Sequence, residues 1–121
     1  MPSKLMVSIS GVRGIVGDGL TPDLVTAYAA SFGSYCRGGK IVLGRDTRTS
    51  GEMLRHATLA GLLSVGCEVL DCGIAPTPTI QLAVEKSGAA GGIAITASHN
   101  PAQWNALKFF SSEGLFLDEK Q

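Results

Sequence analysis

Serine, histidine and asparagine side chains stand next to one another in one short stretch, Ser98-His99-Asn100. Residues 92–96 before it form an apolar run that predicts a buried strand, and Pro101 after it cannot continue a central strand because it has no N–H. The chain is therefore predicted to turn just past Ser98. Open α/β sheets bind ligands at the carboxyl ends of their strands, which makes this stretch a candidate functional site.

Ser98 is the candidate nucleophile of the stretch. A serine hydroxyl is weak unless a base or a strong electrostatic field helps it, and the nearest candidates in the sequence are His99 and Lys108. Neighbouring residues of an extended segment point to opposite sides, so His99 is predicted to face a substrate rather than to take the Ser98 proton. The stretch also lacks the G-x-S-x-G motif, which disfavours an acyl hydrolase. On residue types alone, a plain polar turn in which Ser98 and Asn100 bond their own backbone fits better.

Apolar runs of strand length alternate along the chain with segments of helical periodicity, one of them started by Thr21 as cap with Pro22 and Asp23 in its first turn. Strands are predicted at residues 5–10, 40–44, 67–71 and 92–96, and helices at 22–36, 50–65 and 77–87. This alternation predicts an α/β fold, a three-layer α/β/α sandwich with a mostly parallel four-stranded sheet. A C-terminal hairpin is predicted to follow, in which residues 107–111 pair with residues 115–117.

Two further segments place cations near strand ends. Arg13 lies in a glycine-rich stretch, residues 11–19, which is predicted to be a loop. Its spacing G-x-x-G-x-x-G is not the dinucleotide motif G-x-G-x-x-G, so nucleotide binding is disfavoured, and both a solvated arginine and an anion contact stay open. Arg45 and Arg48 stand on either side of Asp46, which favours a charge cluster that stabilises a turn over a phosphate site.

Length and composition favour one globular domain, residues 1–121, because 45% of its residues are hydrophobic and 17% are charged. Ten basic and ten acidic side chains cancel, so neither nucleic acid nor a membrane surface is a predicted partner. No apolar run approaches the ~20 residues of a membrane span and no signal peptide is evident, which predicts a cytoplasmic protein. Cys36, Cys67 and Cys72 form no CxxC pair and are predicted to be small core residues.

The stretch Thr96-Ala-Ser-His-Asn-Pro101, with Asn105 and Lys108 after it, resembles the phosphoserine loop of the α-D-phosphohexomutases. This superfamily comprises phosphoglucomutase, phosphomannomutase and phosphoglucosamine mutase. Two more segments agree in order: residues 11–17 are similar to the family's N-terminal arginine loop, and residues 44–51 to its strand-to-helix turn. The resemblance covers essentially the whole chain, but only the first of the four domains that such enzymes have.

The resemblance implies the N-terminal domain of an intramolecular phosphotransferase that interconverts hexose 1-phosphate and hexose 6-phosphate. In this interpretation Ser98 carries the phosphoryl group and the sugar passes through a bisphosphorylated intermediate. His99 and Lys108 match positions of proton transfer, Asn100 a position that shapes the loop, and Arg13 one that contacts the site. The implied partners are a hexose phosphate and the remaining domains, without which the chain is expected to be inactive. The alternative is a non-catalytic module that binds a phosphosugar or another anion.

Magnesium is the cofactor that the resemblance implies, with Ser98 as a ligand through its phosphate oxygen. A phosphorylated serine carries about −1.5 to −2 charges and suits a hard cation. The acids of this chain form no D-x-D-x-D-type cluster, so the other ligands are expected on domains that this chain lacks.

The chain departs from the family pattern just after the serine. Asn105-Ala106 stands where the family commonly has Asn-Gly, and Trp104 where a smaller or phenolic residue is frequent. Glycine adopts positive φ where alanine resists it, so a different local backbone is predicted before Lys108. Thr96 is more typical of the glucose and mannose mutases, whereas residues 11–14 also suit the glucosamine branch, and the sugar stays open.

Overall fold

A computed structural model describes residues 5–8, 11–96 and 103–117 of the chain. Its helices and strands, in chain order, are β1 (Leu5–Ser8), β2 (Gly11–Val16), β3 (Gly19–Leu20), α1 (Pro22–Tyr35), β4 (Ile41–Arg45), α2 (Gly51–Ser64), β5 (Val69–Ile74), α3 (Thr77–Ser87), β6 (Gly91–Ile95) and β7 (Trp104–Ser111). The helices and the strands predicted between them are confirmed to within a few residues. No helix of the described ranges is long and apolar enough to cross a membrane.

The described strands form one mixed sheet in the order β1-β2-β7-β6-β4-β5, with β3 beside β2. Strands β5, β4 and β6 are parallel, as predicted, but β7 runs antiparallel to both of its neighbours and β1 antiparallel to β2. One core lies under α1 and α2, and a second lies under α3 on the other face. The three layers are therefore confirmed, whereas the prediction of a mostly parallel four-stranded sheet is wrong.

Strand β7 explains most of that difference. Its side chains fill both cores, because Leu107 and Phe109 belong to the core under α1 and α2 and Phe110 to the core under α3. A strand buried on both faces belongs in the middle of a sheet, and β7 lies between β6 and β2 instead of in a terminal hairpin. The predicted return strand is reduced to one bridge between Phe110 and Phe116.

Strand β2 occupies part of the stretch predicted to be a glycine-rich loop, so that prediction is wrong for Gly11–Val16. Burial alternates along the strand, with Val12 buried, Arg13 exposed and Gly14 buried. Gly11 lies opposite Lys108 of β7, and a Cβ at position 11 would collide with the carbonyl oxygen of Leu107. The glycine at this position therefore permits close pairing with β7 rather than an open anion loop.

The start of α1 lies where the sequence predicts, at Pro22, and Thr21 is its N-cap residue. The Thr21 side chain makes no capping hydrogen bond to the helix backbone. A hydrogen bond from the Thr21 hydroxyl lowers the pKa of the Asp23 carboxylate, and the N–H groups of Asp23 and Leu24 lower it further. Asp23 lies in the first turn of α1, at a helix end that favours negative charge.

Helices α1 and α2 pack closely because α2 carries a glycine at the contact. A Cβ at Gly61 would lie 2.9 Å from the Cβ of Ala29 and closer still to the Thr26 carbonyl oxygen. The Thr26 hydroxyl crosses the same contact and donates to the Ala57 carbonyl at 3.0 Å. Gly61 of α2 therefore permits the close contact with α1.

Thr58 and Asn105 are the two polar residues classed as buried in the part of the chain that the structure describes. Asn105 has hydrogen-bond partners. The Thr58 hydroxyl has none there, and a buried hydroxyl without a partner is destabilising.

We expect Thr58→Val to raise the free energy of unfolding by about 1 kcal/mol, because valine keeps the shape and removes the unsatisfied hydroxyl. The control Thr58→Ser keeps the hydroxyl and loses a buried methyl group, so it should lower the free energy of unfolding by about 1 kcal/mol. Urea unfolding monitored by circular dichroism measures both changes. A valine variant less stable than the parent would show that the hydroxyl has a partner.

Candidate active site

Three of the predicted site residues, Ser98, His99 and Asn100, lie outside the described residues. The structure does describe the strands on either side of them, together with Arg13 and Lys108. We refer to residues 97–102 as the serine segment.

The serine segment connects two neighbouring strands at the carboxyl edge of the parallel part of the sheet. Strand β6 ends beside β7, where Ile95 pairs with Leu107 and the Thr96 N–H donates to the Ala106 carbonyl at 3.0 Å. On the other side of β7, the Val16 N–H donates to the Gln103 carbonyl at 2.9 Å. The strand that precedes Ser98 in the sequence is therefore buried and ends at this edge, as predicted, while the place of Ser98 itself stays a prediction.

Arg13 and Lys108 are brought together on one face of the sheet. Arg13 pairs with Ala106 and Lys108 pairs with Gly11, and paired residues of antiparallel strands project from the same face. Both cations line a cleft of about 310 Å³, together with apolar side chains such as Val7 and Phe116. Lys108 is also paired with Ala94, one residue before the end of β6. Two predicted site residues thus meet beside the strand that leads to Ser98.

The turn after β4 is the charge cluster that the sequence predicts. Asp46 accepts the Arg48 backbone N–H at 3.0 Å, and its carboxylate lies 3.6 Å from Arg48 Nε. Arg45 donates to the Asp46 carbonyl at 3.0 Å and pairs with Glu52 at 3.2 Å. The acidic partners within the turn and the start of α2 therefore account for both arginines.

Sequence reasoning missed the role of Asn105. Its side chain is fully buried, and its amide nitrogen donates to the Ser50 hydroxyl at 2.9 Å while its oxygen accepts the Ala106 N–H at 2.9 Å. Arg48 makes a second unpredicted contact, donating from Nη1 to the Trp104 carbonyl at 3.3 Å. An amide at the head of an otherwise apolar strand was the available signal, since a buried polar side chain requires a partner.

The altered backbone predicted at Ala106 is not found. Ala106 is buried within β7, and Arg37 is the non-glycine residue with positive φ in the described ranges. An extended strand accommodates alanine without strain, and Ala106 pairs with Arg13 in the regular register of β7.

The described residues do not form a metal site by themselves, because no group of three or more His, Cys, Asp and Glu side chains is placed there to hold an ion.

The cysteines are core residues, as predicted. Cys67 is buried, while Cys36 and Cys72 are half-buried. Burial raises the pKa of Cys36 to about 11 and also raises that of Cys67 and Cys72, which leaves all three thiols protonated and unreactive at neutral pH.

A family model described as phosphoglucomutase/phosphomannomutase, alpha/beta/alpha domain I, matches residues 5–121. The chain belongs to the phosphoglucomutase/phosphomannomutase family. A crystal structure of a phosphoglucomutase/phosphomannomutase family protein from Burkholderia thailandensis is similar with a TM-score of 0.81 and 30% identity, over 94% of this chain and 29% of that one. The resemblance of residues 96–101 and their neighbours to the phosphohexomutases is thereby confirmed.

The curated relatives that this chain matches are longer proteins. It is 47% identical over 116 residues to a phosphoglucomutase/phosphomannomutase of Thermococcus kodakarensis, covering 92% of this chain and 25% of the relative. It is 49% identical over 106 residues to a phosphoglucosamine/phosphogalactosamine mutase of Sulfurisphaera tokodaii, covering 87% of this chain and 23% of the relative. The chain therefore spans about a quarter of the length of these relatives. Near-equal similarity to proteins named for different sugars means that similarity over this domain does not identify the sugar.

The raised pKa of Cys36 predicts a loss of stability in alkali. The unfolded chain releases the thiol proton near its ordinary value of about 9, whereas the folded chain holds it to about 11. The stabilising contribution is complete below pH 9, and it decreases as the pH rises from 9 towards 11. Chemical unfolding of the parent and of Cys36→Ala across this range should show a shallower decline for the variant. Parallel declines would contradict the raised pKa.

Proposed function

We propose that this chain is the first domain, residues 1–121, of a phosphohexomutase in which Ser98 carries the transferred phosphoryl group. The observation that supports this most is the cleft that Arg13 and Lys108 line from two adjacent strands. Ser98 follows Thr96 by two residues, so their Cα atoms lie at most about 7 Å apart, and Thr96 bonds to the strand that carries Lys108. We infer from this that the two cations approach a phosphate on Ser98.

The charge of the cleft suits a phosphate. Of the described residues that line it, none is acidic, and Arg13 and Lys108 are the two that carry charge. A phosphoserine brings about −1.5 to −2 charges, and phosphoryl transfer depends mainly on positioning and on cations that stabilise the phosphoryl oxygens in flight. Arg13 and Lys108 would supply that stabilisation, and Asn100 would help to shape the serine segment.

The reaction has two transfers in opposite directions. In the first, the bond between Ser98 Oγ and phosphorus breaks as a sugar hydroxyl oxygen bonds to the phosphorus, and the hydroxyl proton passes to a base and from it to the freed Ser98 oxygen. We assign the role of base to His99 or Lys108; where His99 takes it, Lys108 acts as a cation only. In the second, Ser98 Oγ bonds to the phosphorus at the other sugar position, the bond from that phosphorus to the sugar oxygen breaks, and the Ser98 proton passes through the same base to the freed sugar oxygen. The net change interconverts hexose 1-phosphate and hexose 6-phosphate.

In this proposal, Ser98 is the residue of this chain that would bind magnesium. The phosphate on Ser98 would give the ion one oxygen ligand, and acids outside this chain would complete the site, since the described residues offer no cluster for it. When bound, the ion neutralises charge on the phosphoryl oxygens. The chain on its own is therefore proposed to bind magnesium weakly.

A non-catalytic module that binds a phosphosugar is the second candidate, because the cationic cleft exists without the rest of the longer relatives. Both candidates predict anion binding. A covalent phosphate on Ser98 that exchanges with substrate is predicted only for the mutase.

Substitutions in the longer enzyme that carries this domain test the assignment. Mass spectrometry should find phosphate on Ser98, and Ser98→Ala should abolish mutase turnover. Lys108→Ala should keep the phosphate on Ser98 and slow turnover by about 10²–10⁴-fold, the range for a lost proton-transfer or charge-stabilising group. Lys86→Ala, in the last turn of α3, is the matched control and should retain the parent rate.

Near-normal turnover in Ser98→Ala, or phosphate on Ser50 or Thr96 in its place, would refute the phosphoryl-carrier assignment. Stable binding of hexose phosphate without any phosphate on Ser98 would favour the binding module.

The 121-residue chain by itself should not turn over a hexose phosphate, because catalysis needs several parts of the site to converge and this domain supplies one side of it. Calorimetry should likewise detect only weak magnesium binding. Turnover by the purified chain that disappears in Ser98→Ala, which excludes a contaminating enzyme, would overturn this prediction.

A further inference from the structure

The turn between β4 and α2, residues 46–50, contacts both strands that flank the serine segment. The Asp46 N–H donates to the Ile95 carbonyl at 3.0 Å, at the end of β6. The Arg48 guanidinium donates to the Trp104 carbonyl at 3.3 Å and the Ser50 hydroxyl accepts from Asn105 at 2.9 Å, both at the start of β7. We call these three hydrogen bonds the β4–α2 bracket.

The bracket connects the turn after β4 to β7, although β4 and β7 do not pair in the sheet. Strand β4 pairs with β6 and not with β7, since the order is β7-β6-β4. Arg48 and Ser50 therefore reach past the end of β6 to hold the beginning of β7. The hydrogen bonds between β6 and β7 fix these two strands relative to each other. The bracket adds hydrogen bonds from the β4–α2 turn to both of them.

Burial makes the Asn105 contact specific. An amide in a fully buried position is stable only when its polar atoms are paired, and Asn105 directs its nitrogen at Ser50 and its oxygen at the next backbone N–H. Rotation of the side chain, or a shift of β7 along β6, would leave a buried donor without its acceptor. The position of the first residues of β7 is thus coupled to the start of α2.

We propose that the β4–α2 bracket fixes the two strand ends between which the serine segment runs, at Ile95 and at Trp104, with Arg48, Ser50 and Asn105 as positioning residues for phosphoryl transfer. This inference rests on the proposed function of Ser98. Displacing a reacting group by about 1 Å can cost about 100-fold in rate, so the bonds that fix both ends of a six-residue connection bear on catalysis without touching the substrate.

Backbone amide exchange in this chain tests the positioning role independently of activity. The informative amides are Thr96, which follows β6 and bonds to Ala106 of β7, and Val16 of β2, which bonds to Gln103 just before β7. The reference is Ile41, which bonds to Glu68 on the far side of the sheet. Ser50→Ala and Arg48→Lys should each raise exchange at Thr96 and Val16 about tenfold and leave Ile41 unchanged.

The matched controls are Ser64→Ala, at the opposite end of α2, and Arg55→Lys, whose guanidinium pairs with Asp71. Both should leave Thr96 and Val16 at the parent rate. Equal acceleration of all three amides in the bracket variants would indicate a general loss of stability and overturn the proposal, as would no acceleration at all.

Kinetics of the longer enzyme provide the second test. Ser50→Ala should lower kcat at least tenfold with KM for the hexose phosphate changed less than about twofold, because the contact acts on alignment and not on substrate binding. Ser50→Thr keeps a hydroxyl and should restore kcat. An unchanged kcat in a Ser50→Ala enzyme that carries phosphate on Ser98 would overturn the proposal. Absence of phosphate on Ser98 in the parent would refute the proposed function instead, and amide exchange would then decide whether the bracket holds the segment.

Discussion

The burial of β7 on both faces is the constraint on which the arrangement of the site depends. Leu107 and Phe109 fill one core and Phe110 the other, so the strand has no solvent-facing side along most of its length. Such a strand has to be central, and its central place puts β6 on one side and β2 on the other. Lys108 therefore lies beside both the strand that leads to Ser98 and the strand that carries Arg13.

Strand β7 also carries a buried polar side chain near its start. Asn105 is fully buried, yet it is satisfied by Ser50 and by its neighbouring backbone. Thr58 of α2 shows the opposite case, a buried hydroxyl without a partner in the described residues. Among the described residues, the buried polar side chain beside the candidate active site thus has hydrogen-bond partners, whereas the one on α2 has none.

Local patterns predicted the helices and the parallel strands well, because periodicity and helix-start residues act over a few neighbours. They failed for β2 and β7, whose pairing joins residues about as far apart in the chain as Gly11 and Lys108. Glycines suggested a loop in β2, whereas the close approach of Leu107 explains the first of them. The Asn105–Ser50 bond joins residues 55 positions apart, so the local pattern could indicate that Asn105 needs a partner but not that Ser50 is that partner. Ser98 itself remains a prediction from its motif.

The strand order also determines when the fold can be completed during synthesis. Strands β1 and β2 join the sheet through β7, and β7 is the last strand of the described chain. At about 5–20 residues per second, a ribosome needs about 5–20 s to proceed from β2 to the end of β7. Over that interval the N-terminal hairpin of β1 and β2, with Arg13 on it, has only the two-residue strand β3 beside it among the described strands. Its apolar residues would then be exposed to other nascent chains and to chaperones, which makes this domain a candidate for assistance before its first strands can join the sheet.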